Sequence, residues 1–263
     1  MYARRVRRFG RARHQRLGDA PGSALLPGWA VEAFYWALQA PGRLLARLGV
    51  DPDVVTCLAL ACSLASLPLL ATGRLAEGAL CVAAGGCFDA LDGMVARLRG
   101  RASPAGAVLD AVLDRLSDSA PLAGLVVLYR GSAVAVLIAL AALVASSLVS
   151  YARARTDAFG LRLPDGIMRR HERVAYLVLA LLVAPLVPTA VLVPGTEPLP
   201  YPILLLGIAF VAIGGFVGAG LLVARARAAL SRPAPAPAAE PPTPIPMGAT
   251  PMPPAGPLER AAP

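Results

Sequence analysis

From about residue 53 to 225 the chain is a succession of long apolar runs, each near the roughly 20 residues a helix needs to cross a hydrocarbon core. We place them at about 53–73, 75–98, 104–129, 132–155, 172–193 and 201–225. The breaks are Thr72-Gly73-Arg74, Gly100-Arg101, Arg130-Gly131, the polar stretch 156–171, and Pro194-Gly195-Thr196-Glu197-Pro198. Inside lipid a backbone segment must satisfy its own polar groups, so runs of this length become helices. The expected fold class is an all-α membrane protein with about six transmembrane helices. An N-terminal interfacial amphipathic helix is expected over about 28–48, where Trp29, Phe34, Tyr35 and Trp36 mix with Leu, Arg43 and Arg47. Pro41 should kink or divide it.

Charge supports the same reading. Only 16% of the residues are charged, against about a quarter in soluble domains. The net charge is +9 and every Lys/Arg position is Arg. Such an excess can serve nucleic acid or a membrane face, and its distribution decides for the membrane. Alternate loops hold Arg97, Arg99 and Arg101, then Arg153, Arg155, Arg162, Arg169, Arg170 and Arg173, then Arg225, Arg227 and Arg232. The intervening loops hold only Arg74 and Arg130. The positive-inside rule then expects a multi-pass protein of the cell membrane with both termini cytoplasmic, surrounded by membrane lipids and binding no nucleic acid. Residues 1–24 read as a basic disordered arm, 25–228 as the membrane domain, and 229–263 as a Pro/Ala-rich disordered tail. No apolar stretch with a small-residue cleavage site directly follows the basic start, so it does not read as a signal peptide. Cys57, Cys62, Cys81 and Cys87 read as small buried hydrophobes.

Against this apolar background the acids are not scattered. Asp89 and Asp92 are three apart and share a helix face; Gly106, Asp110, Asp114 and Asp118 are each four apart and form a stripe on the next segment. An acid within a membrane segment is costly unless it has a function or a partner. The short turn Arg99 to Ser103 should make the two helices antiparallel neighbours with facing carboxylates. Carboxylates crowded at one level need a positive partner, and oxygen-only ligands indicate a hard cation such as Mg²⁺, Mn²⁺ or Ca²⁺. Two such ions could clamp a diphosphate. Gly93, Ala96 and Gly106 leave room for a substrate beside the backbone. For Asp118 and Arg115 the bland alternative is an Asp–Arg pair that steadies the segment; for Asp53 and Thr56 it is a helix N-cap.

The run from Asp89 through Asp92, Gly93, Ala96 and Arg97 to Gly106, Asp110 and Asp114 resembles the signature of the CDP-alcohol phosphotransferases, D-x2-D-G-x2-A-R-x8-G-x3-D-x3-D. All its fixed positions are present at family spacing. The resemblance implies an enzyme of phospholipid biosynthesis that transfers a phosphatidyl group from CDP-diacylglycerol to an alcohol and releases CMP. It implies Asp89, Asp92, Asp110 and Asp114 as metal ligands, with Asp114 also the general base. Asp53, Thr56, Asp89, Gly93, Ala96, Arg97 and Gly106 would contact the nucleotide. The metal would be Mg²⁺, with Mn²⁺ as substitute, as two ions, and the enzyme a homodimer.

For the acceptor, Ser150-Tyr151-Ala-Arg153-Ala-Arg155 and the later Arg169-Arg170-His171-Glu172-Arg173 resemble the phosphatidylinositol phosphate synthases of that family. Arg153, Arg170 and Arg173 are the candidates to hold a phosphorylated acceptor, with inositol 1-phosphate the leading choice and glycerol 3-phosphate the alternative. Here Arg153 replaces the Lys of those enzymes and His171 their Pro, and the last span lacks an internal Arg. The bland alternative for these arginines is topogenic charge. From another class, a cation transporter could use intramembrane aspartates, but the acidic pair is not repeated in the second half of the chain.

Overall fold

A computed structural model describes residues 25–101, 103–161, 163, 166–187 and 199–231. The basic arm expected over 1–24, Arg162, and nearly all of the tail expected over 229–263 lie outside them. The described chain is helical throughout: α1 (Gly28–Arg47), α2 (Pro52–Ala71), α3 (Leu75–Leu98), α4 (Pro104–Leu128), α5 (Ala133–Ala158), α6 (Arg170–Val183), a 3-10 turn at Ala184–Leu186, and α7 (Pro202–Leu230). Pro41 lies inside α1 without dividing it.

Local chemistry explains where the helices begin. Asp51 caps α2 by accepting the backbone N–H of Asp53 at 3.2 Å, with Pro52 at the first helical position. Ser103 caps α4 through the N–H of Gly106 at 3.0 Å, followed by Pro104. The cap of α2 is therefore Asp51, and Asp53 sits one position inside the helix with its carboxylate left for another use.

The expectation of about six transmembrane helices is corrected here. Among the described residues four helices are long and apolar enough to cross a membrane: α2, α3, α5 and α7. Helix α4 has the length but carries Asp110, Asp114, Arg115 and Asp118, and charge removes the apolar window. Helix α6 has 14 residues, about 21 Å at 1.5 Å per residue, against about 30 Å of hydrocarbon. It gives way to the 3-10 turn at Pro185, which has no N–H to donate to the carbonyl four residues back.

Packing closes α2 to α7 into a ring. Helix α2 packs extensively on both α3 and α4; α4 then meets α5, α5 meets α7, α7 meets α6, and α6 returns to α3. Helix α1 lies outside against α3, held by Leu38, Val55, Leu91 and Met94. Contacts between α5 and α7 use small residues: Ala135, Ala139, Ala142 and Ala145 are fully buried, which lets the helices approach as membrane helices do. Large apolar side chains such as Leu64, Leu137, Leu206 and Ile213 point outward, an arrangement suited to lipid as solvent.

Helices α3 and α4, expected to be packed neighbours, touch only sparsely. Helix α2 holds them apart, and the gap between them is where the carboxylates meet.

Candidate active site

The acid stripe of α4 and the acid pair of α3 face the same gap. Asp89, Asp92 and Asp110 each bring one carboxylate oxygen to a point where all three lie within 4.8 Å of one another. Asp92 is buried, with Oδ1 accepting the backbone N–H of Gly93. Its Oδ2 and the Oδ1 of Asp110 are buried without a hydrogen-bond partner. Buried carboxylate oxygens lacking donors are costly, and a hard divalent cation answers that cost with oxygen ligands alone. The residues present thus fit a Mg²⁺- or Mn²⁺-type ion.

Asp114 is not in that group of three. Its Oδ1 lies 2.7 Å from Arg170 Nη1, and the same nitrogen pairs with Asp89 Oδ1. Arg170 Nε donates to Asp118 Oδ1 at 3.0 Å. Arg173 Nη2 donates to Asp118 Oδ2 at 2.6 Å and to Ser150 Oγ at 3.2 Å. The alternative pair Asp118–Arg115 is not formed: Arg115 donates instead to the carbonyls of Ala111 and Ser150. Two arginines from the start of α6 serve Asp118, and one of them reaches across to the α3–α4 carboxylates.

Two cavities flank this cluster. The first, about 360 Å³, runs from the start of α2 to the α3–α4 turn. Its wall includes Asp53, Thr56, Gly93, Ala96, Arg97 and Gly106, so all the expected nucleotide residues except Asp89 border it; Asp92 and Asp110 form its inner end. Thr56 Oγ1 donates to the carbonyl of Pro52 at 3.1 Å. Arg101 also lines this cavity, pairing with Asp51 at 2.8 Å. In the sequence Arg101 stands out only as part of a break and as loop charge, because nothing in its spacing ties it to Asp51.

The second cavity, about 450 Å³, is bordered by Asp114, Ser150, Arg153, Arg169, Arg170 and Arg173. It gathers all three arginines expected for the acceptor. Arg169 and Ser150 join them, both members of the resembling motifs but not among the residues expected to hold the acceptor.

The loop before α6 sets these arginines. Met168 is fully buried with φ of +56°, left-handed backbone that a non-glycine residue adopts only when its surroundings impose it. Its carbonyl accepts from Arg173 Nη1 at 2.9 Å. Two glycines of α7 make the room. A Cβ on Gly214 would lie 2.6 Å from Met168 Cε, and one on Gly218 would lie 2.5 Å from the carbonyl oxygen of Ile167. Helix α1 also reaches the site: burial and then the charge of Asp89 push the Tyr35 hydroxyl up from the ordinary tyrosine range.

Residues 50–213 match the family described as CDP-alcohol phosphatidyltransferase. The chain is 43% identical over 133 residues to the phosphatidylinositol phosphate synthase of Mycobacteroides abscessus, a stretch covering 49% of this chain and 60% of that relative, which is less than two thirds of its length. The fold is similar to a crystal structure of the phosphatidylinositol phosphate synthase of Mycobacterium tuberculosis with CDP-DAG bound, at a TM-score of 0.60 and 33% identity, over 75% of this chain and 98% of that one. It is also similar to that synthase in complex with manganese and citrate, at a TM-score of 0.62 and 33% identity, over 75% and 93% of the two chains.

Proposed function

The chain belongs to the CDP-alcohol phosphatidyltransferase family, metal-dependent membrane enzymes that move a phosphatidyl group from a CDP-linked lipid to an alcohol, and from that premise we propose inositol 1-phosphate as its acceptor. One observation carries the reading. Signature aspartates border both cavities, Asp92 and Asp110 the nucleotide-sized one and Asp114 the arginine-lined one, and Asp89 links them by grouping with the first two and sharing Arg170 with the third.

In this reading CDP-diacylglycerol places its cytidine end among Asp53, Thr56, Gly93, Ala96, Arg97 and Gly106. Asp89, Asp92, Asp110 and Asp114 are the ligands of two Mg²⁺ ions, which when bound supply charge neutralisation at the diphosphate. Arg153, Arg170 and Arg173 hold the acceptor's phosphate by charge-assisted hydrogen bonds. Asp114 borders the acceptor cavity and takes the proton of the attacking hydroxyl. The new bond joins that oxygen to the phosphorus bearing the diacylglycerol, the bond to the CMP oxygen breaks, and CMP leaves. Orientation and electrostatic stabilisation supply the rate, without a covalent enzyme intermediate.

The relatives' names support inositol 1-phosphate over glycerol 3-phosphate, and a solved neighbour's CDP-DAG supports the donor. The same reading places residues 25–228 in the membrane domain, both termini on the cytoplasmic side, and two chains in the particle. Purified protein with CDP-diacylglycerol, Mg²⁺ and, separately, inositol 1-phosphate, inositol, glycerol 3-phosphate and serine tests it. Mass spectrometry should find phosphatidylinositol phosphate and CMP. A glycerophosphate lipid instead would reject the acceptor, and no CMP with any alcohol would reject the reaction.

A further inference from the structure

Arg170 stands in both halves of the site. One nitrogen, Nη1, is shared between Asp89 of α3 and Asp114 of α4, while Nε stays on Asp118 at 3.0 Å. The same side chain forms part of the wall of the arginine-lined cavity. Asp118 is held a second time by Arg173 at 2.6 Å, and Arg173 is fixed in turn by the Met168 carbonyl. The Nε end is therefore anchored. The Nη end rests on carboxylates that have another use, since Asp89 also belongs to the three-carboxylate group with Asp92 and Asp110.

We propose that Arg170 is a latch that couples metal binding to acceptor binding. A guanidinium on Asp89 competes with a divalent cation for the same carboxylate charge. When the cation wins, the attraction between Arg170 and Asp89 falls, and Nη1 comes away from Asp89 and Asp114 while Nε remains on Asp118. The freed nitrogens turn to the arginine-lined cavity. Metal binding thereby prepares the phosphate-holding group, so an anion in the cavity and a cation at the carboxylates favour each other. This rests on the metal-site reading above.

The test uses full-length protein in detergent at pH 8, with free Mn²⁺ read by its EPR signal during titration. In the intact protein, saturating inorganic phosphate should tighten Mn²⁺ binding by about tenfold, in the range usual for coupled sites, after correction for Mn²⁺–phosphate complexes in protein-free buffer. Arg170→Gln should bind Mn²⁺ about tenfold more tightly without phosphate and show no further gain with it. Arg155→Gln removes a positive charge of α5 that borders neither cavity and should leave the phosphate-free Mn²⁺ affinity unchanged, so a tenfold gain there would overturn the latch. Should Arg170→Gln not fold, Arg170→Lys and the phosphate effect in the intact protein decide. Lys keeps the charge without the fork, and should lose at least half of the coupling. Mn²⁺ binding with no phosphate effect, or unchanged or weakened by Arg170→Gln, overturns the latch alone. No Mn²⁺ binding to the intact protein overturns the metal site together with it.

Discussion

Glu172 accepts the backbone N–H of Leu25 at 2.9 Å across 147 positions of sequence, and its other oxygen accepts the N–H of Arg169 at 2.9 Å. The carboxylate is fully buried. It joins the start of the described chain to the first turn of α6, the turn that carries Arg170 and Arg173. Tyr176 adds a second tie by donating to the Leu25 carbonyl at 3.2 Å. The segment leading into α1 and the loop that sets the arginines of the second cavity are thus tied by one side chain.

Glu172→Ala leaves two backbone donors without this acceptor. The expected loss is about 1–3 kcal/mol for each N–H that stays buried, read as a lower thermal midpoint in detergent. Glu172→Gln should recover only part of it, since its amide has one accepting oxygen for two N–H groups. The KM for the acceptor should rise more than kcat falls, because the arginines lose their register while the carboxylates keep theirs. An unchanged midpoint and KM would show that the tie has no positioning role.

Gly218 tests the same loop from the other side. A Cβ there would press on the Ile167 carbonyl oxygen at 2.5 Å, a backbone atom that cannot turn away. Gly218→Ala should cost about 1–3 kcal/mol by overpacking and raise the acceptor KM. Gly220, two residues on, has nothing within 4 Å of its built Cβ. Gly220→Ala should be neutral or stabilise by up to about 1 kcal/mol through helix propensity. Equal behaviour of the two variants in a thermal-shift measurement would remove the packing argument.

The carboxylate centre was legible because charge in an apolar helix stands out and helical spacing says which charges share a face. Offsets paired Asp89 with Asp92 and Asp110 with Asp114 and Asp118, but not which of these converge. The span count was not legible from the length of apolar runs. The run from 172 continues in composition past Val183, while the helix ends there at Pro185, and α4 is crowded with charge. The sparse contact between α3 and α4 was also hidden, because a short turn shows that two helices are connected and not that a third lies against both. Least visible were Arg170 on Asp89 and Glu172 on Leu25: each joins segments whose closeness arises only when the ring of helices closes.

Asp92→Asn should separate stability from catalysis. Asp92 Oδ2 is buried beside Asp89 and Asp110 without a donor. Removing its charge relieves repulsion that the metal-free fold must carry, as function-driven destabilisation predicts. Without added metal the variant should melt at the same temperature or a few degrees higher, by roughly 1 kcal/mol. Turnover should fall by at least about a thousandfold, the scale of losing a principal electrostatic contributor. A near-normal rate would reject the carboxylate cluster as the metal site.

Metal removal completes the argument from the opposite direction. A ligand that binds only the folded state stabilises it by mass action, about 2.7 kcal/mol at a hundred times its dissociation constant. Mn²⁺ or Mg²⁺ added to chelator-treated protein should raise the thermal midpoint in a concentration-dependent way and restore CMP release. The same addition to Asp92→Asn or Asp110→Asn should raise it little, because each removes one of the three converging oxygens. Ca²⁺ also prefers oxygen ligands but tolerates looser geometry, so it should raise the midpoint while supporting less turnover. A metal-induced shift of equal size in the variants would place the ion elsewhere and leave the buried carboxylate oxygens unexplained.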